Sequence, residues 1–96
     1  MAVKTRSAAF TVTTKANTPI KILERNDKRI VWSAKNDSDT DIYFGYSPEV
    51  STSGRTRGWQ IAAGGGSVED QFSNNEVYII CTQSGKTLSV IEVMEE

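Results

Sequence analysis

Four stretches of the chain hold residue types capable of chemistry, and each lacks something the chemistry needs. Asp37, Asp39 and Asp41 have the alternate spacing of the first three ligands of a calcium loop. Such a loop goes on to need Gly at its sixth position and Glu at its twelfth, where this chain has Ile42 and Pro48. An acidic turn is the plainer reading. Gly64, Gly65 and Gly66 lack the Lys-Ser/Thr that completes a phosphate-binding loop, so they read as a turn. Cys81 sits inside an apolar run and reads as a small buried hydrophobe. Arg55, Arg57 and Trp59 close a long polar stretch, and Arg and Trp are the residue types enriched at interface hot spots. A lone Trp below such a loop also reads as a core plug. Tyr43 and Tyr46 could join Trp59 as a stacking platform for a carbohydrate or a receptor.

None of these pairs a nucleophile with a base. The 96 residues contain no histidine and one cysteine. A Ser-His-Asp or Cys-His arrangement is therefore ruled out, because no other side chain titrates close enough to neutrality to carry the proton. One Cys forms no internal disulfide and no structural zinc site, which takes about four Cys or His ligands. The expectation is a non-enzymatic protein with no cofactor and no metal, folded in a reducing compartment such as the cytoplasm. The basic N-terminus lacks the apolar stretch of a signal peptide, and no window approaches the roughly 18 apolar residues of a membrane span. No membrane partner is expected.

Charge is unevenly distributed along the chain. Residues 1–35 hold eight basic side chains against two acidic ones, and residues 58–96 hold one basic against six acidic. Two ends of one domain that neutralise each other would give this pattern. So would a basic arm that seeks an acidic patch on a neighbouring copy. The basic residues are scattered singly through strand-like sequence and no RNA-binding signature is present, so nucleic acid is not an expected partner.

The elements that must carry these residues are strands. Alternating or β-branched runs lie at 9–14, 19–24, 29–35, 41–46, 59–62, 67–72, 76–82 and 87–93, separated by Gly, Asn, Asp and Ser clusters. No apolar spacing of helical period is sustained over ten residues. This predicts one all-β domain over 10–96, an antiparallel β-sandwich of seven or eight short strands, Ig-like or jelly-roll-like, preceded by an arm at 1–9. The short connection at 83–86 reads as a hairpin loop. The last two strands are apolar on both faces: Ile80, Ile91 and Val93 lie opposite their strands' other apolar residues. One thin core cannot take both faces, so Ile91 and Val93 are expected at an interface.

The Arg29–Ser38 stretch, Ile42-Tyr43-Phe44-Gly45-Tyr46-Ser47, Val50-Ser51-Thr52-Ser53-Gly54, Trp59-Gln60-Ile61-Ala62-Ala63-Gly64-Gly65, Glu76-Val77-Tyr78-Ile79-Ile80 and Val90-Ile91-Glu92 together form a pattern. An Arg-led strand ends at Asn-x-Ser, an aromatic strand ends at Gly, a Val-Ser-Thr loop follows, and the closing strand ends near a Glu. Over residues 29–93 this resembles small virion proteins of tailed bacteriophages. The resemblance implies a β-sandwich that decorates or cements a capsid, or forms a head fibre, collar or tail attachment. It also implies other virion proteins as partners, a homo-oligomer such as a trimer, and a place in the virion after synthesis in the host cytoplasm.

Overall fold

The computed structural model describes residues 4–71 and 73–96. Eight strands run in the order β1 (Thr5–Thr13), β2 (Ile20–Leu23), β3 (Arg29–Asn36), β4 (Ile42–Gly45), β5 (Trp59–Ile61), β6 (Gly66–Asp70), β7 (Val77–Cys81) and β8 (Thr87–Glu95). A single 3-10 turn, Gly54–Thr56, interrupts the long loop between β4 and β5. The strands form two antiparallel sheets of four, ordered β1-β8-β3-β6 and β2-β7-β4-β5. The pairs β1·β8, β2·β7, β3·β6 and β4·β5 are those of one long hairpin rolled up on itself. That connectivity is the jelly roll, and it decides between the two sandwich types left open by the sequence.

The strand pattern is as expected from the alternation, and two details differ. The 83–86 connection is not a hairpin loop, since β7 and β8 lie in different sheets and the turn arches between them. Among the described residues only β4 and β5 are consecutive strands bonded to each other. Strand β1 begins at Thr5, so residues 5–9 of the expected arm are paired with β8. Residues 1–3 of that arm, and Phe72 at the end of the expected 67–72 strand, lie outside the described residues.

Trp32, Ala34, Ile42, Phe44, Ile61, Val77, Ile79, Cys81, Leu88 and Val90 fill the space between the sheets. Cys81 is fully buried, as its apolar run predicted. The molecule measures 46 × 25 × 17 Å, so this core is one side-chain layer thick. Three polar residues, Thr14, Asn36 and Arg29, are buried with it among the described residues and act as chain ties; the Thr14 hydroxyl donates to the Gln83 carbonyl and accepts from the Lys86 amide. Asn36 donates from Nδ2 to the carbonyls of Thr40 and Ile61 at 2.9 and 2.8 Å, and its Oδ1 accepts from the Ser38 amide and hydroxyl. Arg29 donates to Glu92 at 2.7 Å and to the carbonyls of Glu24, Ser73 and Asn75. One guanidinium thus joins the β2–β3 loop, the β6–β7 loop and β8 through four of its five N–H donors. It also makes the charge asymmetry intramolecular in part, as does Lys21–Glu76 at 2.7 Å, whereas Lys86 turns to Asp39 of the acidic turn.

Candidate functional site

Aromatic rings step outward from the core at one open side of the sandwich. Trp32 meets Phe44 edge-on at 5.2 Å, and Phe44 in turn meets Tyr46 at 6.0 Å and Trp59 at 6.4 Å between centroids. The register explains the sequence of contacts, because Phe44 is paired with Trp59 and the two share a face. Strands β5 and β6 are the outer strands of their sheets on this side. Between them lies a groove of about 360 Å³ lined by Phe44, Tyr46, Trp59, Val68, Glu69 and Asp70. Trp59 is 76% exposed on its rim. The core-plug reading of Trp59 is therefore wrong: a three-residue strand at a sheet edge has no neighbour to cover the indole.

The hydroxyl of Tyr46 donates to Oδ2 of Asp70 across the groove. Burial pushes the phenol up to about 12, and the Asp70 carboxylate that holds its proton adds to this. The groove is thus bridged at one end by a neutral tyrosine, with Phe44, Trp59 and Val68 as its apolar walls and Glu69 beside them.

Tyr43 does not join this platform. Its neighbours in the alternation, Ile42 and Phe44, are buried, and Tyr43 lies on the outer face of the second sheet. There the guanidinium of Arg57 lies 5.3 Å above its ring, in cation–π geometry. Gln60 lies within 3.5 Å of Arg57 and donates to Asp41 at 2.8 Å. Arg55 is exposed on the 3-10 turn of the loop. Gly58 holds that loop down, for a Cβ there would meet the Phe44 carbonyl oxygen at 2.6 Å and Val50 at 2.7 Å.

The three aspartates of the acidic turn diverge. Asp37 lies 3.7 Å from Lys35, Asp39 pairs with Lys86, and Asp41 accepts from Gln60 and the Ala63 amide. The hydrogen bond from Lys86 holds the Asp39 carboxyl below its usual range. Among the described residues no three His, Cys, Asp or Glu side chains stand close enough to hold a metal ion. Gly64 and Gly65 have φ of 77° and 109° and form the turn expected of them.

The outer face of the first sheet carries Ile91, 45% exposed, paired with Ala9 on one side and Ser33 on the other. Val93 is half-buried beside Ser7 and Val31. Ile80 is buried, beside Tyr43 in the middle of the second sheet, so it adds nothing to an exposed patch. The sequence divided β1 between an arm at 1–9 and a strand at 9–14, and so did not show one long edge strand. Seven of its nine residues from Thr5 are exposed in succession, it contains neither Pro nor bulge, and its outer edge has no strand partner among the described residues. Its length was the available signal, hidden because the alternation is weak at Ser7-Ala8-Ala9.

No protein-family model matches the sequence, and no curated protein does. Similar folds occur among solved structures. One belongs to the Bacillus endospore appendages, a family of disulfide-linked pili, with a TM-score of 0.58 and 20% identity over 97% of this chain and 88% of that one. Another is the periplasmic inhibitor of g-type lysozyme from Aeromonas hydrophila, with a TM-score of 0.43 and 10% identity over 98% and 88% of the two chains. The first establishes a shared small all-β fold. The second is too remote to carry an argument.

Proposed function

We propose that this chain is a non-enzymatic structural subunit that works in an assembly with copies of itself. The observation that carries this is β1, a nine-residue edge strand with one charged residue, Arg6, and none of the usual guards. The other edges are shorter, broken or charged. Pro19 precedes β2, whose pairing is broken by a bulge, β5 has three residues, and β6 carries two carboxylates. An unguarded edge offers a row of backbone donors and acceptors to another chain. The exposed Ile91 face and the arginines and aromatics around the long loop, Arg55, Arg57, Tyr43, Tyr46 and Trp59, are further contact surfaces on this reading. The likeness to a pilus fold supports a polymerising role. The resemblance to phage virion proteins supports a particle that is decorated, cemented or extended by this subunit.

The test is light scattering coupled to size exclusion at high micromolar concentration. The expected result is a mass several times 10.6 kDa. Ile91→Lys lowers the assembled fraction without lowering the melting temperature of the single chain. A wild type that runs as a 10.6 kDa monomer, with no virion protein able to shift it, overturns the proposal. The exposure of Trp59 favours a second reading, a saccharide-binding module, although Tyr43 is removed from its platform.

A further inference from the structure

Strand parity in the first sheet has a geometric result. Strands β1 and β8, β8 and β3, and β3 and β6 are each antiparallel, so β1 and β6 run in opposite directions at opposite edges. A second copy shifted sideways, without rotation, therefore lays its β1 antiparallel to the open edge of β6. Sidechain alternation then sets which residues face the core side. Arg6, Ala8 and Phe10 pair with Met94, Glu92 and Val90 of β8, and Val68 and Asp70 pair with Ala34 and Trp32 of β3. Met94, Val90, Ala34 and Trp32 are all buried. The inward faces of the two edges thus match.

Charge matches as well. Strand β1 carries Arg6 and no acidic residue, with Lys4 just before it, while β6 carries Glu69 and Asp70 and no basic residue. An antiparallel register with Arg6 opposite Asp70 puts Ser7 opposite Glu69, Ala8 opposite Val68, Ala9 opposite Ser67 and Phe10 opposite Gly66. The inward side chains of the added strand then project over the groove between β6 and β5. Phe10, itself 37% exposed at the far side of its own sandwich, and Trp59, 76% exposed, would both leave water on contact. Each open side of the sandwich exposes part of the core, and the two exposures are complementary.

We infer that the β5–β6 groove is the receptor site for β1 of a second copy, so that the subunits join head to tail through a continued first sheet. This inference rests on the assembling role proposed above and specifies its interface. A contact between two different patches repeats at every subunit and gives an open filament or a ring. The polymer it builds is held by backbone pairing and apolar burial, and the buried Cys81 takes no part in it.

Disulfide trapping tests this. Ser7 and Glu69 are exposed, so Ser7→Cys and Glu69→Cys leave the core intact. Directly opposed cross-strand Cβ atoms lie about 4.5–5.5 Å apart, close to the span of a disulfide. Mild oxidation of the double variant is expected to give a ladder of covalent multimers on a non-reducing gel. Each single variant stays at the monomer band, because no position faces its own copy across this interface, and Ser7→Cys combined with Lys21→Cys, on the wrong edge, gives no ladder. If the wild type assembles by light scattering but the Ser7/Glu69 pair yields no ladder, this interface is wrong and the structural role stands. If the wild type is monomeric, both fall. A shift in Trp59 fluorescence on adding an oligosaccharide, at unchanged mass and without a ladder, assigns the groove to a sugar and overturns the inference.

Discussion

Removing the Arg29 guanidinium strands four polar partners at once, one of them a carboxylate. The side chain is fully enclosed, and the Glu92 side chain it meets is 12% exposed. In Arg29→Met, the Glu92 carboxylate loses its cation, and the carbonyls of Glu24, Ser73 and Asn75 lose their donor. Breaking a buried ion pair in this way costs about 3–5 kcal/mol, against a total stability of about 5–15 kcal/mol. For a domain of this size that is a fall in Tm of roughly 12–40 °C. The double variant Arg29→Met/Glu92→Leu removes the stranded carboxylate yet leaves the three carbonyls unpaired, so it recovers part of the loss and not all of it. Urea unfolding can be followed by the buried Trp32 in a Trp59→Phe background, at concentrations where the chain is single. An Arg29→Met variant within about 1 kcal/mol of its parent would refute the reasoning, because an H-bonded carboxylate alone is worth more than that. So would full recovery in the double variant.

Asn36→Asp places a carboxylate against the carbonyls of Thr40 and Ile61, so the acid is held protonated in the fold. Its folded pKa rises, which makes the variant's deficit small at pH 4 and larger as pH rises to 7, read by thermal melts at both values. Tyr46 is also raised, to about 12, by burial first and Asp70 second. The stability it lends is fully present below the ordinary tyrosine value of about 10 and is lost as pH rises towards the folded value. Phenolate absorbance should show a step near pH 12 that Tyr46→Phe abolishes. Adding chelator leaves Tm unchanged, because Asp37, Asp39 and Asp41 go to separate partners; a fall of many degrees would restore the calcium reading.

The strands were legible because their period is local. Alternation at Ile42, Phe44 and Tyr46, or at Trp32 and Ala34, reports a face directly. Which sheet each strand joins is not local. A four-residue connection such as 83–86 spans about 5 Å to a neighbouring strand or about 10 Å to the opposite sheet, so its length cannot distinguish hairpin from arch. Burial at sheet edges was misread for the same reason. Trp59 and Ile80 are similar in apolarity, but one lies on a short edge strand and the other on a strand flanked on both sides. The groove itself needs β5 and β6 brought together from separate sheets, and nothing in either segment announces the other. Arg29 looked like one of eight scattered basic residues, and only the convergence of three chain segments makes it a tie.

The pairing of Thr5 with Glu95 has a consequence during synthesis. At about 5–20 residues per second the ribosome needs roughly 5–18 s to make the partner of β1 after β1 itself has emerged. Throughout that interval β1 is a sticky strand with no home, and among the described residues the finished fold holds it by one neighbouring strand. The β1 of a sister chain offers a nascent β8 the same register as its own, at the lower effective concentration of an untethered strand. On the assembly proposed above, trading β1 while two chains are being made would be a second route to linked subunits, beside adding a strand to a finished sandwich.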